Sequence, residues 1–138
     1  MEFELIHEVA DSDFAEIGHM AWSSLQQPRQ AMMNYMFYVD EKRGVTLDSA
    51  VQSWAKGQVA ARAAGSGYLW KKVIEKKTGR IVGAAGWIVH REDPWAKGMP
   101  KKDADSHPAG ADREVVIAIA HQLTIRRMEF TSEPHLCT

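Results

Sequence analysis

Two stretches rich in β-forming residues flank a short polar segment in the middle of the chain. The first, residues 68–75, carries Tyr, Leu, Trp, Val and Ile, and the second, residues 80–90, resumes the apolar run. Between them, residues 76–79 end in Gly79, which can adopt a positive φ. This pattern predicts a β-hairpin around which the rest of the chain packs.

The second strand of this hairpin is apolar on both faces. Strict alternation places Ile81, Trp87 and Val89 on one face. The other face then carries Val82, Ala84 and Ile88. Apolar residues on both faces are typical of a central strand that is covered on both sides.

The first 65 residues predict one strand followed by two helices. Residues 1–9 alternate, with Phe3 and Leu5 opposite glutamates, and predict a strand with one wetter face. Residues 11–13 (DSD) offer a helix cap, and apolar residues at helical spacing predict a helix over residues 13–25. Thr46 is expected to cap a second helix, which ends at residues 65–67 (GSG).

Residues 31–39, between these two helices, are rich in Met and aromatic residues. Such soft side chains are ordinary core filler, and the same composition suits the lining of a pocket, so both interpretations stay open.

After the hairpin, the pattern predicts a long polar loop over residues 91–111, a third helix over residues 112–128 and the start of a strand at residues 133–136. The predicted order is therefore β-α-α-β-β-loop-α-β start. It indicates an α+β fold with a mostly antiparallel sheet and helices packed on it.

Length and composition narrow the class of protein. A chain of 138 residues suits a single domain, and a net charge of −1 gives no electrostatic case for a nucleic-acid partner. The single cysteine favours a reducing compartment. No apolar run approaches the roughly 20 residues that span a bilayer, so we expect no membrane partner and a cytoplasmic location.

Common catalytic and metal-binding motifs give no assignment. The sequence has no P-loop, no dinucleotide fingerprint and no GxSxG elbow. His107, His121 and His135 lack the spacing of a metal site, and Cys137 lies beside the C-terminus, where a nucleophile is poorly held. We therefore predict no metal, and the motifs identify no catalytic residue.

Two longer phrases resemble the N-terminal half of GCN5-related N-acetyltransferases (GNAT superfamily) of the kind abundant in filamentous fungi. Residues 70–96 (WKKVIEKKTGRIVGAAGWIVHREDPWA) look like the second and third strands of that family. Residues 107–136 (HPAGADREVVIAIAHQLTIRRMEFTSEPHL) look like its loop, its next helix and the Pro-His-Leu that opens its fourth strand. The similarity covers almost the whole chain.

The resemblance implies acetyl transfer from acetyl-CoA, as co-substrate, to a small-molecule amine. In the family, a turn of the form Arg/Gln-x-x-Gly-x-Gly/Ala after the fourth strand holds the coenzyme pyrophosphate at a helix N-terminus. We expect no such turn in this sequence. We therefore expect residues 1–138 to form one GNAT-like domain that is truncated before the acetyl-CoA motif, and is inactive unless a partner supplies the rest.

The resemblance also suggests which residues border the acceptor amine. The region between the first two helices would contribute Trp22, Tyr35 and Tyr38, and the third strand would contribute Trp87 and His90 to the same cleft. For Trp22 and Trp87, a role in the core is the competing interpretation.

Two further hypotheses come from other functional classes. One is a non-catalytic interaction domain, in which the third strand exposes an edge that favours a homodimer. The other is a small enzyme that needs no coenzyme and acts on an apolar natural product in a pocket near residues 32–38.

Overall fold

Four antiparallel strands and two long helices form the part of the chain that the structure describes. The computed structural model describes residues 2–26, 36–65, 67–92, 96, 118, 121 and 122, and the backbone of residues 135–137. The elements are β1 (Phe3–Ile6), α1 (Asp13–Ser24), a 3-10 turn (Glu41–Arg43), α2 (Leu47–Ala63), β2 (Tyr68–Glu75), β3 (Ile81–His90) and β4 (His135–Cys137). The strand order is β1-β2-β3-β4. The predicted α+β class with an antiparallel sheet is therefore confirmed.

The central hairpin is formed by β2 and β3, as the sequence predicts. Gly79 in its turn has a φ of 71°, a left-handed conformation that costs glycine little. The predicted start of a last strand is also confirmed, because β4 pairs with the end of β3, where His135 lies opposite His90.

A β-bulge near the start of β3 changes which residues share a face. Ile74 pairs with Ile81, but the preceding residue, Val73, pairs with Gly83, so Val82 is an extra residue in β3. The strict alternation predicted for this strand is therefore wrong at Ile81. Ile81 lies with Ala84 on the face that packs against the helices and not with Trp87.

One face of the sheet, called the inner face below, packs against both helices. Phe14 and Ile17 of α1 and Ala55 of α2 form a buried cluster with Ile81. The helices contact each other closely at Gly18, where an added Cβ would lie 2.8 Å from Cγ1 of Val51. The inner face and the two helices thus build the core.

The opposite face, called the outer face below, is more exposed than the sequence suggests. Because Trp70 packs in the core, alternation places Leu69 on the outer face, together with Phe3 and Leu5 of β1. About half of each of these three side chains is exposed, at 52–53 %. In β3 itself, where the sequence predicts coverage on both sides, Trp87 and Val89 on this face are partly buried. Glu2 and Glu4 are exposed as well, so Phe3 and Leu5 add an exposed apolar face opposite the wetter face predicted for the first strand.

The two helices begin differently. The Oγ1 of Thr46 accepts a hydrogen bond from the Ser49 N–H at 3.2 Å, so the predicted cap of α2 is confirmed. Ser12 precedes α1 but its side chain makes no capping hydrogen bond. The Asp13 carboxylate instead accepts the Ala10 N–H at 2.6 Å. The prediction of a side-chain cap for α1 is therefore wrong, although the helix begins where expected.

Several predicted segments lie outside the described residues. They are most of the Met and aromatic segment (residues 31–35), most of the long loop and most of the predicted third helix. Of the third helix, residues 118, 121 and 122 are described, and they are helical and exposed.

Candidate functional site

Trp22 lies near the end of α1 and packs into the core between the helices. Its ring meets that of Phe37 edge-on, with centroids 6.2 Å apart and an angle of 88° between the planes. Phe37 is fully buried and also contacts Trp54 of α2, at a centroid distance of 5.5 Å. Trp22 is only partly buried, so one part of its indole stabilises the helix pair while another part reaches the surface.

Tyr38 follows Phe37 and belongs to a small polar cluster. Its hydroxyl donates a hydrogen bond to Oδ2 of Asp40 at 3.0 Å. The same oxygen lies 3.5 Å from Nε of Arg43. A bridge between Asp40 and Val45 closes the loop that carries these residues, so their relative positions are set by backbone hydrogen bonds.

The surroundings of Tyr38 favour its neutral form. Partial burial of the hydroxyl raises the pKa of Tyr38 above its ordinary value, and the Asp40 carboxylate raises this pKa further, while Arg43 opposes the shift. Tyr38 therefore stays a protonated hydrogen-bond donor at neutral pH, and the paired Asp40 is an acceptor that also faces a cation.

Trp87 and His90 lie on opposite faces of β3. Trp87 pairs with Leu69, and the preceding residue, Gly86, lies under the indole of Trp70 on the inner face. Alternation therefore places Trp87 on the outer face and His90 on the inner face. The expectation that both residues face one cleft does not fit this geometry.

Among the described acceptor residues, Trp22 and Tyr38 belong to one region, because Trp22 contacts Phe37 and Tyr38 follows Phe37 in the chain. Tyr35 lies outside the described residues. Whether any of the five binds a substrate remains a prediction.

The aromatic cluster at the centre of the core was missed at the sequence level. Trp70 of β2, Phe14 of α1 and Trp54 of α2 are mutually edge-on, with centroid distances of 5.3–6.3 Å. The Nε1 of Trp70 is buried without a hydrogen-bond partner among the described residues. The sequence places each of these residues in an apolar pattern of its own element. Only the packing of the three elements shows that the rings are in contact.

Two polar links between α1 and the sheet were also missed. The Nζ of Lys72 lies 2.6 Å from Oδ2 of Asp13, and only about a sixth of each side chain is exposed. The Oε1 of Glu16 accepts a hydrogen bond from the backbone N–H of Ile81 at 2.8 Å. The first backbone N–H of β3 is therefore paired with a side chain of α1. Nothing in the sequence distinguishes Lys72 from its neighbour Lys71, so the pattern alone does not reveal this ion pair.

A groove of about 510 Å³ runs between the start of α1 and the exposed side of α2. Its lining is mostly small and apolar, with Lys56 and Gln52 as polar residues on α2. None of the five predicted acceptor residues lines this groove. The groove therefore gives the acceptor prediction no support.

Contrary to expectation, the letters of the pyrophosphate turn occur at two places, residues 62–67 (RAAGSG) and residues 80–85 (RIVGAA), but both lie in the wrong structural setting. The first segment lies at the end of α2 and the second leads into β3, whereas an anion site uses the free N–H groups at a helix N-terminus. The carbonyl groups at a helix C-terminus repel a phosphate. Arg62 is also engaged, because Nη1 donates to the Val9 carbonyl at 2.5 Å and Nη2 pairs with Asp11. These residues do not form a coenzyme site.

The described residues contain neither a cluster suited to a metal ion nor a helix suited to crossing a membrane. Within them, no three His, Cys, Asp or Glu side chains are grouped so that they would hold a metal ion. None of the helices found there combines the length and apolarity needed to cross a membrane.

No family model, no curated protein and no solved structure matches the chain. The resemblance to the GNAT superfamily stays a prediction from the two quoted phrases.

Proposed function

We propose that this chain forms the acceptor-binding half of a GNAT-like acyltransferase, which moves an acetyl group from acetyl-CoA to an amine. The observation that supports the proposal most is the order of the elements. Two helices lie between β1 and β2 on one face of an antiparallel β1-β2-β3-β4 sheet, and β4, after Pro134, pairs with the end of β3.

The proposed reaction needs few groups from this half. The amine nitrogen attacks the thioester carbonyl, a C–N bond forms, the C–S bond breaks, the nitrogen loses a proton and the thiolate takes one up. Tyr38 and Trp22 are the residues that we place beside the amine. The Tyr38 hydroxyl donates its proton to Asp40, and its oxygen can accept a hydrogen bond from the N–H of the amine. The indole of Trp22 suits the apolar part of the amine.

The coenzyme half is not supplied by the residues described. Of the two sequences that match the pyrophosphate turn, residues 62–67 lie at the end of a helix, where Arg62 is engaged elsewhere, and residues 80–85 lead into β3. Binding of acetyl-CoA therefore requires a segment that continues from β4 or comes from a partner.

Calorimetric titration with acetyl-CoA tests this proposal directly. We expect no heat from the 138-residue chain alone, and saturable heat when the chain is extended after β4 by a segment that carries the pyrophosphate turn. Heat from the chain alone, or no heat from the extended chain, would contradict the proposal.

Steady-state kinetics of the extended chain test the acceptor side. Tyr38→Phe is expected to raise the KM for an amine substrate about tenfold, which corresponds to loss of one hydrogen bond to a polar group, without changing the heat of acetyl-CoA binding. Lys77→Ala, in the exposed hairpin turn, is the matched control. An unchanged KM in Tyr38→Phe would remove this residue from the acceptor site.

A non-catalytic interaction domain is the second candidate, because the exposed apolar side chains of the described residues share the outer face. The third hypothesis, a coenzyme-independent enzyme with a pocket near residues 32–38, loses support at the described end of that segment. There, Phe37 is fully buried and fills the core.

A further inference from the structure

The exposed large apolar side chains in the described ranges all lie on the outer face. They are Phe3, Leu5 and Leu69, and about half of each is in contact with solvent. Trp87 shares this face and is partly buried. Clustering of exposed apolar residues on one face marks an interaction surface, since scattered single residues are the ordinary case.

The charged residues of the same face form a symmetric pattern. Lys71, Val73 and Glu75 are alternate residues of β2, so all three point to the outer face. The lysine and the glutamate lie at equal distances on either side of the valine, about 7 Å along the strand. A two-fold axis at Val73 therefore exchanges the positions of Lys71 and Glu75.

The row of residues that crosses the sheet at this point is apolar. Leu5 pairs with Val73, and Val73 pairs with Gly83. An axis along this row brings Leu5 and Val73 against their own copies and places each Lys71 opposite Glu75 of the other molecule. The Oε2 of Glu75 accepts a hydrogen bond from the Thr78 hydroxyl. A carboxylate has a second oxygen, which can accept a hydrogen bond from Lys71 of the other molecule.

The strand edges are poorer surfaces for association. The outer edge strand β1 has only four residues and includes Glu4, and short charged edges disfavour strand pairing. On the other side of β3, β4 pairs with its last three residues, Ile88–His90. The outer face instead combines exposed apolar side chains with a symmetric charge pattern.

We propose that a second copy of this chain packs on the outer face, sheet against sheet, about a two-fold axis along Leu5, Val73 and Gly83. Two sheets pack in this way about 10 Å apart. Leu5 and Val73 form the apolar centre, and two Lys71–Glu75 pairs flank it. A two-fold interface needs such a self-complementary surface, and this proposal does not depend on acetyl transfer.

Charge reversal tests the proposed pairing. Sedimentation equilibrium of the full chain at micromolar to 500 μM concentrations (about the range in which weak dimers form) is expected to show a monomer–dimer equilibrium. K71E or E75K alone places like charges opposite each other and is expected to weaken association at least about tenfold. The double variant K71E/E75K restores the pairs and the association, and an equimolar mixture of K71E and E75K forms a heterodimer. K77E, in the turn, is the matched control.

Two further variants keep the test independent of folding defects. L5K, at an exposed position, is expected to be monomeric with an unchanged circular dichroism spectrum. E75Q retains an acceptor for Thr78 and replaces E75K if that variant does not fold; it is expected to weaken association less than K71E. A wild-type monomer at the highest concentration, association of K71E equal to that of the wild type, or a double variant no better than K71E overturns the proposal.

Discussion

At the scale of single residues, the core depends on close contacts between rings and glycines. The indole of Trp70 lies directly on Gly86, and Phe14 and Trp54 hold it there from the other side. Such a site has no room for an additional methyl group, because protein interiors are packed as densely as organic crystals.

Gly86→Ala is therefore expected to destabilise the protein. The new Cβ would lie 2.6 Å from two atoms of the Trp70 ring, which cannot move without displacing its neighbours. We expect a loss of about 1–3 kcal/mol in the free energy of unfolding, as for other overpacked cores, measured by urea denaturation. Gly83→Ala is the control in the same strand, since its Cβ would lie 3.8 Å from Val73; an equal loss in both variants would contradict the prediction.

Tyr38 is expected to make stability depend on alkaline pH. Its pKa is raised in the folded protein by partial burial and then by Asp40, so the folded state holds the phenolic proton more tightly than the unfolded state does. This contribution to stability is fully present below the unfolded pKa of about 10 and is lost as the pH rises through the folded pKa.

Urea denaturation across the alkaline range, compared between wild type and Tyr38→Phe, measures this effect. The variant lacks the titrating group, so its free energy of unfolding should fall less above pH 10 (about the ordinary tyrosine pKa). Parallel curves for the two proteins would show that the environment of Tyr38 does not favour its neutral form.

At the scale of elements, the two helices depend on different interactions at their first turns. Thr46 caps α2 through its side chain. The residue before α1, Ser12, makes no capping hydrogen bond, and α1 is held to the sheet by Asp13–Lys72 and Glu16–Ile81. Local sequence therefore starts α2, and contact with the sheet positions α1.

Paired alanine substitutions distinguish these two cases. Thr46→Ala is expected to cost about 1 kcal/mol of unfolding free energy, the usual effect of removing a helix cap. Ser12→Ala is expected to change it by less than about 0.5 kcal/mol, as for surface positions without such a bond. Chemical denaturation of both variants gives the comparison, and a Ser12→Ala loss as large as that of Thr46→Ala would contradict it.

At the scale of the whole molecule, the two faces of the sheet differ among the described residues. The helices cover the inner face, while Phe3, Leu5 and Leu69 leave the outer face apolar and accessible. If a second copy covers that face, folding and association are coupled, because only folded chains associate.

The midpoint of thermal unfolding should then rise with protein concentration for the wild type. In L5K, where a charge is introduced at the centre of the face, the midpoint should be independent of concentration. Differential scanning calorimetry over a roughly 50-fold range of protein concentration measures this shift. Such a range changes the stabilisation by association by about 2 kcal/mol. A wild-type midpoint that does not move would argue against a dimer stabilised by the outer face.

Much of the candidate acceptor site was beyond sequence reasoning. The phrase around Trp87 and His90 predicts their strand correctly, yet the alternation of β3 puts them on opposite faces. Trp22 contacts Phe37, the residue before Tyr38, although α1 and this segment are separated in the sequence. Spacing within one element is visible in a sequence, but proximity between elements depends on how they pack.

The sequence by itself determined the local structure of this protein. The hairpin, its Gly79 turn, the capped start of α2 and the strand after Pro134 follow from short-range rules of alternation, helix capping and turn chemistry. Only the tertiary structure decided the bulge at Val82, the burial of Lys72 against Asp13 and the exposure of Phe3 and Leu5. These features depend on which face of the sheet the helices cover, and that choice is made by contacts between residues far apart in the chain.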